Sequence, residues 1–167
     1  MADILVQILM GSDSDAPTMQ RSVDVLKELG ISCHMTVASA HRSPDRVGRI
    51  IAEAPSKGVK VFIVGAGAAA HLAGVVAAHT TLPVIGVPID SSPLQGWDAL
   101  LATVQMPPGV PVATVSVGKA GATNAAVLAA QILGLGDDRV AAALSDYKRK
   151  MAAKVEKAAA KVEAQDT

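Results

Sequence analysis

Seven residues, Ser39-Ala40-His41-Arg42-Ser43-Pro44-Asp45, hold the densest chemistry in the sequence. An imidazole able to give or take a proton near neutral pH stands beside a permanent cation. His41 is therefore a candidate general acid/base. Arg42 offers the planar fork that suits a phosphate, and Ser39 can add a hydroxyl. A lone histidine is more often a hydrogen-bonded surface or core residue, and a loop arginine is often just solvated. Both assignments thus depend on what neighbouring loops bring.

Two other stretches qualify. Gly11-Ser12-Asp13-Ser14-Asp15 puts glycine, hydroxyls and carboxylates ahead of a helix start. Free N–H groups at such an end suit a phosphate, while an aspartate suits ribose hydroxyls. Plain N-capping by Asp15 or Ser14 accounts for that loop taken alone. Gly65 to Ala70 has almost no side chains, so its backbone can approach a flat ligand closely. It lacks the third glycine of a dinucleotide fingerprint, which leaves little case for NAD. His71 follows directly, either as a helix-end hydrogen-bonding residue or as a partner of the reacting group. His34 and His79 read as structural. Lys119, in a glycine-flanked turn, faces either a ligand or a neighbouring subunit. No Ser-His-Asp order, zinc-ligand spacing or P-loop lysine is present. The residues alone reach a phosphorylated small ligand served by one histidine acid/base.

Strands and helices must bring these loops together. Ile4 to Met10 is a continuous apolar run of strand length, as in a strand buried on both faces. Met19, Val23 and Leu26 mark one face of the next helix, which Gly30 stops. Ser32 to Val37 reads as a second strand. Ser43 then caps a helix with Pro44 at its first position and Val47, Ile50, Ile51 and Ala54 on its apolar face, ending near Gly58. Further strands are expected at Val61 to Val64, Val84 to Val87 and Ala113 to Val117. Helices are expected to about His79, from Leu94 to Val104, and from Gly118 to Leu133. A last long helix shows Val140, Leu144, Tyr147 and Met151 in one stripe, able to dock on a neighbouring chain. The alternation implies a three-layer α/β/α sandwich on a five-stranded parallel sheet of flavodoxin-like order. The loops after its first three strands would share one crevice.

Composition is consistent with that plan. The 167 residues suit one domain with a sizeable core, built mainly from Ala, Val, Leu and Ile because Phe, Trp and Tyr occur once each. Fifteen basic residues balance fifteen acidic ones, so no overall field recruits nucleic acid or a membrane surface. The single Cys33 cannot form an internal disulfide, and a reducing, cytoplasmic setting fits. Met1-Ala2-Asp3 has no basic n-region, so no secretory signal is expected. Val61 to Ala78 approaches the length of a membrane span, but Gly65, Gly67 and Gly74 break it into strand, loop and helix.

Three motifs together resemble the class I, bacterial-type N5-carboxyaminoimidazole ribonucleotide mutases of de novo purine synthesis. They are Met10-Gly11-Ser12-x-Ser14-Asp15, Ser39-Ala40-His41-Arg42-x-Pro44-Asp45 and Gly65-Ala66-Gly67-x-Ala69-Ala70-His71-Leu72. Gln105-Met106-Pro107 and Gly118-Lys119-Ala120-Gly121-Ala122-x-Asn124 extend the likeness to about Leu133. The resemblance implies that a carboxylate moves from the exocyclic nitrogen of an aminoimidazole ribonucleotide to C4, without metal or organic cofactor. It implies His41 as general acid/base, Ser12 and Asp15 on the ribose phosphate part and Arg42 on the phosphate. Ser14 and Ser39 would help, while Gly67, Ala68 and His71 would line the base and carbon dioxide pocket. It further implies a cytoplasmic homo-octamer, with residues 137–167 packing on a neighbour. Rival readings are direct carboxylation of the aminoimidazole ribonucleotide, as in class II, and a non-catalytic nucleotide-binding module. The sequence departs from the family at Ala68, usually glycine, at Ala73, usually proline, and at Ala99, commonly serine; Trp97 is also unusual. Ala68 is expected in an ordinary backbone conformation, its methyl narrowing the pocket slightly.

Overall fold

The computed structural model describes residues 4–164, so what was expected of Met1-Ala2-Asp3 and of the last residues of the tail lies outside it. Five parallel strands form one sheet: β1 (Val6–Met10), β2 (Cys33–Val37), β3 (Val61–Gly67), β4 (Val84–Ile89) and β5 (Ala113–Thr114). Their order is β2-β1-β3-β4-β5, the flavodoxin-like order. Helices α1 (Ala16–Glu28), α2 (Pro44–Glu53), α3 (Leu72–Ala78), α4 (Trp97–Val104), α5 (Gly118–Gly134) and α6 (Asp138–Glu163) complete the chain. Among the described residues no helix is long and apolar enough to cross a membrane.

Side-chain alternation along the central strands divides the core in two. Ile8, Met10, Ile63, Ile85 and Val87 face one way, packing with Met19, Val23 and Leu26 of α1 and the alanines of α5. Leu9, Phe62, Val64 and Val84 face the other way, onto Val47 and Ile51 of α2, Leu72 and Val76 of α3 and Ala99 of α4. Five fully buried alanines on α5 let it approach closely, and the buried Ser22 hydroxyl of α1 donates to Ala122 O at 2.6 Å.

Several boundaries differ from expectation, each for a local reason. β3 and β4 run on to Gly67 and Ile89, pairing Ala66 with Pro88 and Gly67 with Ile89. β5 pairs only Ala113 and Thr114, so β4 has one neighbour at Pro88, where a proline is tolerated. β5 ends early, short of the expected Val117, because the chain must turn into α5 at Gly118, whose φ is +73°. α4 begins at Trp97 rather than Leu94, since Gln95 (φ +53°) and Gly96 (φ +85°) are left-handed. The α6 stripe is used within the chain as far as Tyr147, with Val140 buried and Leu144 packed on the core. Met151 and Val155 beyond it are exposed.

Candidate active site

The carboxyl ends of β1, β2, β3 and β4 surround one cavity of about 290 Å³. Gly11, Ser12, Ser14 and Asp15 enter from the loop after β1, and Ser39, Ala40, His41 and Arg42 from the loop after β2. Ala66, Gly67, Ala69 and Leu72 come from β3 and its following loop, and Ser91 from the end of β4. Parallel strands force this convergence, since every strand delivers its following loop to the same edge.

Hydrogen bonds within the His41 loop fix its shape. Ser43 stands at the N-cap position of α2 but makes no capping bond with its side chain. Its hydroxyl instead accepts from Ser39 N at 3.0 Å and donates to Ser39 O at 3.2 Å, closing the loop across five residues. That corrects its expected role: the serine holds the loop rather than the helix end. Ser39 Oγ accepts from Arg42 N at 3.2 Å, and Arg42 Nη2 donates to Gly11 O at 2.8 Å. The arginine thus ties the β2 loop to the β1 loop while lining the cavity. It also borders a second hollow of about 420 Å³ shared with Gly11, Ser12, Asp13 and Ser39.

In the β1 loop the capping is done by Ser12, not by Asp15 or Ser14. Its hydroxyl accepts from Ser14 N at 3.3 Å and from Ser14 Oγ at 3.0 Å, opening a single 3₁₀ turn over Asp13–Asp15. Asp15 precedes α1 without a side-chain cap bond and is nearly buried. Burial pushes its carboxyl above the usual carboxylate range, against the opposing pull of the Ser12 main-chain N–H and the Arg42 guanidinium. Such a carboxyl is harder to ionise folded than unfolded, so the folded chain binds the proton first as pH falls. Its contribution to stability therefore grows on acidification and is lost as pH rises through the carboxylate range. Asp15→Asn is accordingly expected to unfold at a higher temperature than the parent at neutral pH. Melting curves across the acidic range should show that advantage shrinking as pH falls.

The loop after β3 is the most constrained. A Cβ on Gly67 would collide with the Ser91 hydroxyl and press on Ser91 Cβ at 3.0 Å and Ile89 O at 3.1 Å, so any side chain there must displace Ser91. Ala68 has φ +49°, in the left-handed region, contrary to the ordinary conformation expected of it. The chain has only four residues in which to turn from β3 into α3. It does so with two successive tight turns, Ala70 N to Ala68 O and His71 N to Ala69 O, both 2.8 Å. Ala68 is exposed and does not line the cavity, so its methyl does not narrow the pocket. Left-handed alanine costs roughly 1–2 kcal/mol. After about 0.4–1 kcal/mol is allowed for the extra freedom of glycine in the unfolded chain, Ala68→Gly should stabilise by roughly 0.5–1 kcal/mol. Denaturant titration checks this.

His71 does not line the cavity either; its Nδ1 lies 2.9 Å from His41 Nε2, the rings meeting edge to face with centroids 5.0 Å apart. The other histidines stand apart. His34 pairs with Gln7 at 3.2 Å, and His79 Nδ1 lies 2.8 Å from Val75 O in the last turn of α3. Lys119 is exposed at the start of α5 and is not among the cavity residues. Ala73 occupies the first turn of α3, where proline and alanine both fit, and Ala99 is fully buried in the core.

A protein-family model described as AIR carboxylase matches residues 5–154, nine-tenths of the fold just described. The chain belongs to the AIR carboxylase family. It is 55% identical over 144 residues to the N5-carboxyaminoimidazole ribonucleotide mutase of Bacillus subtilis, covering 86% of this chain and 89% of that one. Against the mutase of Thermotoga maritima the identity is 48% over 158 residues, covering 95% and 91%. The phosphoribosylaminoimidazole carboxylase of Candida albicans is 49% identical over 151 residues, 90% of this chain but 26% of that longer one. Among solved structures, Treponema denticola PurE superposes with a TM-score of 0.85 at 31% identity, covering 94% of this chain and 97% of that one.

In this AIR carboxylase family member, sequence reasoning overlooked Ser91. A hydroxyl two residues beyond an apolar strand was the available signal, because β4 delivers its loop to the same sheet edge as β1, β2 and β3. Counting only three loops left it out.

Proposed function

We propose that this chain is an N5-carboxyaminoimidazole ribonucleotide mutase. It moves the carboxylate from the exocyclic nitrogen to C4, giving 4-carboxy-5-aminoimidazole ribonucleotide in de novo purine synthesis. The observation that carries the proposal is the cavity itself: one imidazole, one arginine, four serines and an aspartate face a wall of nearly bare main chain. The 55% identity to a protein of that name supports the same reading.

In the proposed reaction, His41 protonates the exocyclic nitrogen as the N–C bond breaks, the bonding pair staying on nitrogen and carbon dioxide leaving. Ring carbon C4 then attacks the held carbon dioxide. His41 finally takes the C4 proton, and the C–H pair restores the aromatic ring. One imidazole serves both steps because the ring that has given its proton in the first is the base the second requires. The main chain of Ala66 and Gly67 keeps the gas beside C4, which replaces a chance encounter with a positioned one. Arg42, Ser12, Ser14 and Ser39 hold the phosphate and Asp15 the ribose, supplying remote binding energy for that positioning.

The whole chain would act as one domain in a cytoplasmic homo-octamer without metal or organic cofactor. An exposed apolar face on and before α4, formed by Leu94, Trp97, Leu101 and Val104, supports assembly, as do Met151 and Val155 on α6. The carboxylase name of the Candida albicans relative favours a second reading, direct carboxylation of the aminoimidazole ribonucleotide. Feeding the purified protein either the carbamate substrate, or aminoimidazole ribonucleotide with bicarbonate, separates the two. Rapid turnover of the carbamate is expected. Product formed faster from the second mixture would replace the mutase reading with the carboxylase one, and none from either would leave a binding module.

A further inference from the structure

We infer that His71 is a positioning residue for His41: its Nδ1 accepts the Nε2 proton of His41, so that Nδ1 of His41 does the proton work. The inference rests on the mutase reading for its chemistry, but its structural core is independent of substrate.

Two observations carry it. The nitrogens are 2.9 Å apart, and neither ring has another hydrogen-bond partner among the described residues. His41 lines the cavity while His71 does not, so the contact links the reacting group to a side chain outside the reaction space. The backbone is built to hold that second ring. Left-handed Ala68 and the two tight turns behind it deliver His71 to the start of α3, where Val75 N donates to its carbonyl at 3.0 Å.

The chemistry explains why such a partner matters. An imidazole ring turns about a broad, nearly two-fold torsion, and its neutral form has two tautomers. The proposed reaction needs the nitrogen that gave the first proton to be the one left bare for the second. With one extra proton, the pair carries three ring protons on four nitrogens. One sits in the bridge, one on His71 Nε2 and one on His41 Nδ1. The last passes to the exocyclic nitrogen of the substrate, leaving His41 neutral with Nε2 still protonated and Nδ1 bare. That lone pair then accepts the C4 proton and the starting state returns. The bridging proton never moves, so neither a ring flip nor a tautomer exchange interrupts the cycle.

The tautomer can be read without substrate. In protein labelled with ¹⁵N-histidine, His41 in its neutral form should show a protonated Nε2 and a bare Nδ1. The opposite pattern would overturn the assignment, whatever the protein catalyses. Kinetics supply the second arm. His71→Leu removes the acceptor and should lower kcat roughly 10–100-fold, the usual scale for a partner that orients a functional histidine, with KM changed less than about twofold. His71→Asn places an amide oxygen near the old Nδ1 position and should recover most of the lost kcat. An unchanged kcat in His71→Leu, or a change confined to KM, would sink the proposal. Where His71→Leu does not fold, the tautomer of the parent protein and the kcat of His71→Asn decide. A parent protein with no mutase turnover would defeat the mutase reading and still leave the tautomer measurement to decide the pairing.

Discussion

Replacing His41 by asparagine is expected to lower turnover by roughly 10²–10⁴-fold, the range that a positioned acid or base contributes. Nucleotide binding should survive, because the groups proposed to hold the phosphate and ribose come from other residues. His41 makes its one hydrogen bond among the described residues to His71, and its loop is closed by Ser39 and Ser43 instead. The substitution therefore leaves the loop's own supports in place. Isothermal titration with a non-reactive nucleotide analogue, run beside single-turnover kinetics, reads the two effects separately. Full turnover in His41→Asn would remove the proton-transfer assignment and leave Asp15 as the next group to test.

Arg42→Ala should act in the opposite sense, weakening substrate binding far more than chemistry. A hydrogen-bonded charge contributes about 1.5–3 kcal/mol, so KM should rise roughly 10–150-fold at saturating conditions for kcat. Part of that loss comes from within the protein, since the guanidinium also joins Gly11 O to the His41 loop. Arg42→Lys separates the contributions. Lysine keeps the charge but not the planar fork, so it should recover some attraction for phosphate without restoring the bridge between the loops. Binding of inorganic phosphate or a nucleotide monophosphate measures this directly. An unchanged KM in Arg42→Ala would place the phosphate elsewhere along the cavity.

Much of this was legible in the sequence because it rests on periodicity. Unbroken apolar runs such as Ile63-Val64 between glycine-marked turns set the strands, and the switch to spacings of three and four set the helices. The loop carrying His41 could be placed at the sheet edge from that alternation alone. What escaped were features decided by contacts distant in sequence. The left-handed Ala68 follows from the short distance between β3 and α3, which no local preference of alanine reveals. Ser43 looks like any helix cap until Ser39 is seen to claim its hydroxyl. Ser91 enters the cavity only because β4 lies beside β3, a neighbour relation that belongs to sheet order rather than to composition.

The glycine wall has a consequence for how this cavity can vary. Gly67 has no side chain, so where it borders the ligand space it presents peptide atoms that every amino acid shares. Mutation cannot subtract from such a surface; it can only add bulk, and at Gly67 bulk strikes Ser91. An inhibitor resting on that floor would face a target whose routes of escape are few, because almost every substitution there damages the host before it repels the guest.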